Sequence, residues 1–274
     1  MSKSTKPELK KVKIEQLSSS DFEMYEPKIL IVDIETAPHL GYVWGFYDQN
    51  VLGYKERGYL LSIGYKWLGD KKVQVKSLRH YKGYKGGNST ARQLTKDLWD
   101  LFNEADVIVA HNGKSFDVKM AKQWFVQYRL GPPSFFHVVD TKIEAKKIGR
   151  FPSNKLDQLG DQLGLGRKMQ HQGFELWLGC MAGNDKDWST MERYNRRDVE
   201  LEEELYLELR PYMDSHPNIA LLKGLDHACT KCGSADLQKR GVRRTQISVA
   251  QRWQCKTCGG YSHSKYVKQT DIRN

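Results

Sequence analysis

Two carboxylates at the end of an apolar run are the first residues of this sequence whose types and spacing could bind a metal ion. Asp33 and Glu35 follow the aliphatic stretch 29–32 and are separated by one apolar residue. Residues two apart on a β-strand point to the same face, roughly 6–7 Å apart, so these acids are expected side by side. Paired negative charges at the edge of a core are costly to desolvate unless a cation lies between them. The spacing therefore predicts a divalent metal ion beside this strand.

Two further carboxylates follow elements that would carry them to the same place. The polar turn 111–117 directly follows a predicted strand, and Asp117 falls in the first turn of the helix after it. Alone, Asp117 has a simpler explanation as a helix cap or a partner of the helix dipole. Tyr194 and Asp198 are four residues apart on a predicted helix and so share one face. A leucine stripe on that helix turns Asp198 towards the buried side, where a carboxylate needs a cation.

The C-terminal region carries a second set of candidate metal ligands. Two matched Cys-x-x-Cys-Gly knuckles contain Cys229, Cys232, Cys255 and Cys258. Two such knuckles at this separation predict a structural zinc site with four cysteine ligands, whereas redox chemistry would need only one pair. His227 and His263 are spare candidates should one cysteine not bind.

The elements predicted around these residues indicate an α/β fold with a second, smaller β region. Strands are predicted at 28–36, 59–67, 72–78, 105–110 and, at the sheet edge, 136–141. Helices are predicted from Ser89 or Thr90 to 102, and at 117–128, 153–165 and 189–209, the last opened by the capping-box spacing of Ser189 and Glu192. Alternating strands and helices imply parallel pairing in part of the sheet. Polar and apolar residues alternate between the two knuckles, which predicts a small antiparallel sheet. Cys180 is expected to be a buried thiol.

Composition and charge favour a folded protein with a polyanionic partner. The 274 residues are 39% hydrophobic and carry a formal net charge of +11. From Ile219 onwards eleven basic residues face three acidic ones, so most of the excess lies in the C-terminal region. Its basic pairs, Lys239-Arg240 and Arg243-Arg244, are expected to contact backbone phosphates, with a purely architectural role as the alternative. No apolar run approaches the ~20 residues of a membrane span, so we expect a cytoplasmic protein without a membrane partner.

The chain divides into four predicted regions. Residues 1–27 are rich in Lys, Glu and Ser and are expected to be a flexible tail, 28–210 the main domain, 211–226 a linker and 227–274 the ribbon. An aromatic cluster near the first acidic pair contains Trp44. Its rings either fill the core or a hairpin, or stack on a nucleobase near the metal.

Together the three acidic motifs resemble a known enzyme family. Asp33-x-Glu35, the turn from Asn112 to Asp117 and Tyr194-x-x-x-Asp198 resemble the exonuclease motifs of the DEDD family in the ribonuclease-H-like superfamily. The tyrosine matches the DEDDy branch, and 156–166 is similar to the helix that often precedes the third motif. The resemblance covers about residues 28–210. It implies a ribonuclease-H-like mixed sheet flanked by helices, and the C-terminal segment is similar to zinc ribbons.

This resemblance implies a 3′-to-5′ exonuclease that uses two divalent ions, Mg²⁺ or Mn²⁺, and releases nucleoside 5′-monophosphates. By analogy Asp33 bridges the ions, Glu35 and Asp198 hold the one beside the nucleophile, and Asp117 supports the second. Hard oxygen ligands suit such ions, and an ion pair can stabilise both the attacking and leaving oxygens. Tyr194 would orient the attacking water, because a phenol with a pKa near ~10 is a poor base at neutral pH.

The resemblance and the sequence also suggest candidate substrate contacts and partners. Asn112 is a candidate for positioning the substrate and Lys114 for contacting phosphate. Single-stranded DNA is the preferred substrate and RNA the alternative. Less favoured readings are a structure-dependent endonuclease and a non-catalytic nucleic-acid-binding protein. No polymerase motif accompanies the acidic set, so a polymerase or replication partner would be a separate chain.

Overall fold

A central mixed sheet organises the larger part of the molecule. The computed structural model describes residues 25–268, so positions 1–24 of the predicted tail lie outside the described residues. The strands are β1 (Ile29–Thr36), β2 (Leu40–Tyr42), β3 (Gly53–Glu56), β4 (Leu60–Trp67), β5 (Gln74–Ser77), β6 (Val107–Ala110), β7 (His137–Asp140), β8 (Leu237–Arg244), β9 (Ser248–Cys255), β10 (Tyr261–His263) and β11 (Val267–Lys268). The α-helices are α1 (Ala91–Glu104), α2 (Asp117–Gln127), α3 (Thr141–Ile148), α4 (Leu156–Gln162), α5 (Glu175–Met181), α6 (Asp185–Leu209) and α7 (Ile219–Leu222).

The five-stranded sheet has the order β5-β4-β1-β6-β7, which places β1 in its middle. β1 pairs with β4 in antiparallel fashion, whereas β6 is parallel to both β1 and β7. The aliphatic residues of β1 are buried because helices cover both faces of this central strand. The mixed sheet and the edge position of β7 confirm the predicted α/β class. Because β1, β6 and β7 run parallel, the segments that leave their carboxyl ends meet at one edge.

Helix α6 crosses the sheet against β1 and β4. Gly64 of β4 makes this approach possible, because a Cβ there would lie 2.8 Å from the Asn195 backbone oxygen. The absence of a side chain at Gly64 thus lets the middle of α6 pack next to the acidic end of β1. On the other face, α1 and α2 pack their apolar stripes, including Leu94, Leu98 and Trp124, against the sheet.

The segment predicted as a linker is packed against the same sheet domain. Met213 and Ile219 are buried in the apolar cluster that Leu205 and Leu209 of α6 form with β1 and β6. His216 accepts or donates a 2.8 Å hydrogen bond with the hydroxyl of buried Tyr206. The chain between α6 and the C-terminal sheet is therefore held at several points.

Two helices differ from the predictions, and the structure decides one open alternative. Helix α6 begins at Asp185 behind an Asn184 cap, so the predicted start at Ser189 is wrong. Helix α3 lacks any counterpart among the predicted helices and is capped by the Asp140 side chain. The rings of the aromatic cluster do not fill the core, because Trp44 is 89% exposed; they lie instead in the hairpin that β2 and β3 form, which was the other structural reading.

The C-terminal strands form a separate four-stranded antiparallel sheet, as predicted. Its main hairpin joins β8 to β9, with a bulge between Lys239 and Val242 where Gly241 adopts a left-handed φ of 75°. Cys180 of α5 is fully buried in the main domain, as expected. Within residues 25–268 no helix combines the length and the apolar character that crossing a bilayer requires.

Candidate active site

Three carboxylates from distant parts of the sequence converge beside β1. Asp33 and Glu35 project from the strand, and Asp198 projects from the facing side of α6. One oxygen from each of the three can be chosen so that all lie within 4.8 Å of one another. Asp33 and Glu35 are partly buried and Asp198 is fully buried. The structure thus brings together residues that are more than 160 positions apart.

Asp117 lies next to this group at the start of α2. Its Oδ1 accepts a 3.2 Å hydrogen bond from the backbone N–H of Ile34. This bond fixes the Asp117 carboxylate against β1 at the residue between Asp33 and Glu35. The side chain is buried, and its charge acts on both Asp33 and Glu35. All four predicted acids are therefore at one site, although only three form the tight oxygen cluster.

Burial and mutual repulsion favour protonated carboxyl groups in this cluster. Burial raises the pKa of Glu35 to about 8, and the charge of Asp198 adds to the rise. Burial also raises the pKa of Asp117 to about 7, against the backbone hydrogen bonds that it accepts. Burial, followed by repulsion from the other three acids, raises the pKa of Asp33 well above its ordinary value. The cluster therefore needs additional positive charge to remain fully ionised at neutral pH.

Lys168 supplies one such charge, and the sequence pattern did not reveal it. The lysine lies in the irregular segment between α4 and α5, and its Nζ is 2.6 Å from Asp198 Oδ2 and 3.1 Å from the Tyr194 hydroxyl. Burial opposes its charge, yet Asp198 and Asp33 hold the pKa of Lys168 above the ordinary lysine value. The ammonium group is thus a charged partner of the third acidic motif.

The donors present suit a divalent metal ion. All are carboxylate oxygens, which Mg²⁺ and Mn²⁺ prefer to nitrogen or sulfur. The buried Oδ1 of Asp198 has no hydrogen-bond partner in the described part of the chain, although a buried carboxylate oxygen is costly to leave unsatisfied. A cation between Asp33, Glu35 and Asp198 would satisfy this atom and offset the repulsion within the cluster.

An aromatic wall borders the acidic cluster on the side of α5. The Tyr194 ring contacts His171 edge-on at 4.8 Å between ring centroids and Trp177 at 6.2 Å. Burial raises the pKa of Tyr194 above that of a free phenol, and the neighbouring Asp198 adds to the rise. A cavity of about 410 Å³ opens next to this wall and is lined by Thr36, Pro38, His171, Gly173, Phe174 and Trp177. Its size is in the range of small-molecule pockets.

The turn after β6 is organised by a carboxylate that the sequence analysis did not select. Buried Asp140 accepts hydrogen bonds from the backbone N–H groups of Asn112 at 3.1 Å and Lys114 at 3.0 Å. These two hydrogen bonds hold Asn112 in a left-handed conformation with a φ of 71°. The Asn112 side chain accepts from Lys142 at 3.2 Å, whereas the Lys114 side chain is exposed. The position of Asp140 at the carboxyl end of β7 was the available signal.

Asn195 is a second residue that the motif analysis missed. Its amide nitrogen donates to Asp33 Oδ2 at 2.6 Å, and its oxygen accepts from the Ser62 hydroxyl at 3.0 Å. Asn195 lies three positions before Asp198, within the Tyr194-x-x-x-Asp198 motif, in which the sequence analysis considered only the tyrosine and the aspartate. It connects α6 directly to the strand carrying the acidic pair.

The four cysteines of the C-terminal region also meet at one point. Their sulfur atoms lie within 4.8 Å of one another, with Cys229–Cys258 at 3.6 Å and Cys232–Cys255 at 3.7 Å. A tetrahedron of ~2.3 Å zinc–sulfur bonds has edges of ~3.8 Å, so this set fits a structural zinc ion. Neither spare histidine belongs to the cluster, since His227 packs on Trp253 and His263 contacts the Ser264 carbonyl.

The four basic residues predicted to contact phosphates all lie on β8, in the same sheet as Cys255 of β9. The side chains of Lys239, Arg240, Arg243 and Arg244 are exposed. Lys239 stacks over the Trp253 ring and Arg240 donates to Gln254. Trp44 is exposed on the connection between β2 and β3. The structure therefore leaves all five side chains accessible, without bringing them into the acidic cluster.

Comparison with known proteins identifies the larger domain. Curated proteins give no match to this chain. A family model of the RNase H superfamily matches residues 30–210, which is more than half of the chain and contains all four acids and Tyr194. This superfamily domain supports a nuclease-type activity with a nucleic acid substrate, and nucleases of this kind generally use divalent metal ions. The chain belongs to the RNase H superfamily.

Proposed function

We propose that this protein is a 3′-to-5′ exonuclease of the DEDDy type, which releases nucleoside 5′-monophosphates from the 3′ ends of single-stranded DNA. The observation that carries the proposal is the convergence of Asp33, Glu35 and Asp198 within 4.8 Å beside Tyr194 and Asp117. A domain that only bound nucleic acid would have no use for buried acids that repel both one another and the phosphate backbone.

The acidic residues would hold two Mg²⁺ or Mn²⁺ ions. Asp33 would contact both ions, Glu35 and Asp198 the ion beside the nucleophile, and Asp117 the other. When bound, such ions activate a water molecule and stabilise the oxygens that attack and leave the phosphorus. In the overall reaction water adds to the terminal phosphate, the bond from phosphorus to the preceding 3′ oxygen breaks, and that oxygen takes a proton.

Tyr194 would orient the attacking water through its hydroxyl group. Because burial raises its pKa, the phenol stays protonated at neutral pH and acts as a hydrogen-bonding group without removing the proton completely. Its ring packs edge-on against both His171 and Trp177, so the hydroxyl is fixed in place before substrate binds. Such preorganisation is the contribution a neutral tyrosine can make.

The terminal nucleoside would occupy the cavity beside the aromatic wall. Phe174 is 59% exposed at this cavity, and His171 and Trp177 supply further ring surface. Stacking on aromatic side chains is sequence-tolerant because every base has a π-face. Exposed Trp44, on the connection between β2 and β3, is a candidate for stacking on a further base, Asn112 for positioning the substrate and Lys114 for contacting a phosphate.

The basic hairpin of the zinc ribbon would hold the strand further from its end. Arg243 and Arg244 are exposed and form no ion pair within residues 25–268, so both are available for phosphates. The acids and the ions they bind recognise phosphate geometry rather than the sugar, and RNA is therefore the alternative substrate. A polymerase or another replication protein would act as a separate chain.

The proposal is tested with 3′- and 5′-labelled single-stranded DNA and RNA of identical sequence in Mg²⁺. We expect labelled mononucleotide from the 3′ label only, a ladder of shortened 5′-labelled strands, and no product in EDTA. Asp33→Asn should abolish release, whereas Asp70→Asn, in the exposed turn after β4, should not. Cleavage in EDTA would contradict the proposal, internal fragments would favour an endonuclease, and faster RNA digestion would favour the exoribonuclease.

A further inference from the structure

We propose that Lys168 is a built-in, displaceable counter-cation of the acidic cluster, which holds Asp198 in the metal-free protein and is exchanged for a divalent ion. The inference concerns how the site is loaded, and it rests on the proposed binding of metal by these acids.

The first observation is that the lysine occupies a carboxylate that would bind metal. Lys168 Nζ donates to Asp198 Oδ2 at 2.6 Å and also contacts the Tyr194 hydroxyl and ring. Asp198 is fully buried, whereas the lysine side chain is 28% exposed. One partner of the ion pair is therefore fixed in the protein interior and the other has a route to solvent.

The charge of Lys168 acts on the whole cluster and not only on its nearest partner. Its Nζ lies 2.6 Å from Asp198 Oδ2, and one oxygen each of Asp33, Glu35 and Asp198 lie within 4.8 Å of one another, so the ammonium group is close to all three carboxylates. Electrostatically it does what a bound cation would do, at lower charge. A divalent ion bound at Asp198 Oδ1 would lie close to the ammonium group on Oδ2 of the same carboxylate, so the two cations would repel each other and compete for Asp198.

The segment around Lys168 is anchored so that only the side chain needs to move. The Lys168 backbone N–H donates to Asp157 Oδ1 at 3.0 Å. Arg197 of α6 donates to the carbonyl groups of Arg167 at 3.1 Å and Leu165 at 3.1 Å. Four rotatable bonds then carry the ammonium group, which can leave Asp198 while its backbone remains in place.

The exchange predicts opposite effects of one substitution on stability and on metal affinity. Lys168→Met keeps much of the apolar stem but removes the charge. In EDTA it should unfold at a temperature about 5 °C below that of the wild type, because Asp198 loses its partner. Calorimetric titration should show Mn²⁺ binding at least 10-fold more tightly, because the competing cation is gone. Lys168→Arg should retain most of the metal-free stability, and Lys119→Met, on the exposed face of α2, should change neither quantity.

These measurements require no substrate, so they separate the exchange from the proposed reaction. Unchanged or weaker Mn²⁺ binding by Lys168→Met would overturn the exchange, since a purely structural lysine would loosen the site when removed. An unchanged unfolding temperature in EDTA would overturn it as well. Metal binding by Lys168→Met but not by the wild type would support it. If both proteins bind Mn²⁺ but neither digests DNA, the exonuclease proposal fails while the exchange is still decided by the affinity ratio.

Discussion

Asn195 of α6 holds Asp33 of β1 by a 2.6 Å hydrogen bond from its side-chain amide to the carboxylate, and by a second, 3.1 Å bond to the Asp33 backbone oxygen. The amide is fully buried and also accepts from Ser62 of β4. One side chain therefore connects the helix that carries Asp198 to two neighbouring strands of the sheet. The orientation of the acidic pair depends on this contact.

Replacing Asn195 with Ala should lower both stability and activity. The buried Ser62 hydroxyl loses its acceptor and Asp33 loses its orienting donors, each at a cost of about 1–3 kcal/mol. We expect the free energy of unfolding in urea to fall by about 3 kcal/mol and the rate of mononucleotide release to fall at least tenfold. Asn88→Ala, in an exposed loop, is the matched control. Wild-type stability in Asn195→Ala would show that the contact contributes nothing.

The metal-free protein should lose stability as the pH rises from about 5 to about 8. The pKa of Glu35 is about 8 in the folded protein against an ordinary 4.5, and that of Asp117 is about 7 against 3.8. Because the folded state holds these protons more tightly, the stabilisation is complete below the ordinary values and is lost as the pH passes the folded ones.

Thermal unfolding in EDTA across this pH range measures the effect. Glu35→Gln cannot ionise at that position, so its unfolding temperature should fall less over this pH range than that of the wild type. We expect the two falls to differ by about 5 °C. Saturating Mg²⁺ should flatten the wild-type profile, because bound cations favour the ionised acids. Parallel profiles for wild type and Glu35→Gln would contradict the raised pKa.

Cys232→Ser should remove the zinc ion and unfold the ribbon locally. A set of three thiolates and a hydroxyl binds zinc far more weakly than four thiolates, and small zinc domains depend on the metal for their fold. Metal analysis of the purified protein should fall from about one zinc per chain to less than about 0.2. Hydrogen exchange should accelerate in β8 and β9 but not in β1. Cys180→Ser, at a buried thiol outside the cluster, should keep the zinc.

Replacing Arg243 and Arg244 together with Ala should weaken binding of single-stranded DNA and reduce its salt dependence. Each phosphate contact contributes about 0.7 to the slope of log K against log salt, so the double variant should lose about 1.4. Fluorescence anisotropy at several NaCl concentrations measures this slope. Lys256→Ala is the control, because Lys256 is paired with Asp236 at 3.2 Å. An unchanged slope would make the ribbon architectural.

The sheet and its acids were predictable because they depend on local patterns. The aliphatic run before Asp33 has the signature of a central strand, and the parallel strands then fix which turn faces it. The start of α6 was not predictable in this way. Ser189 and Glu192 have capping-box spacing, but Glu192 instead binds Arg79 and Ser77, both at 2.7 Å, and Asn184 caps the helix. A tertiary contact therefore decides the role of a residue whose local pattern favours another one.

Residues that come from irregular segments were missed for a related reason. Lys168 follows no helical or strand period, and only the folded chain shows that it reaches Asp198 on another element. The spacing of the four cysteines, in contrast, carries its own geometric information, because zinc demands a fixed number of ligands. Prediction from sequence succeeded where the chemistry itself imposes the spacing.

The burial of Met213 and Ile219 determines where this protein can be divided. Ending the chain at Leu209 would remove two apolar side chains that complete an apolar cluster of the RNase H-like domain, and the surface left behind would be prone to self-association. A fragment that extends through Leu222 would keep both side chains, and we therefore expect it to self-associate less than a fragment that ends at Leu209.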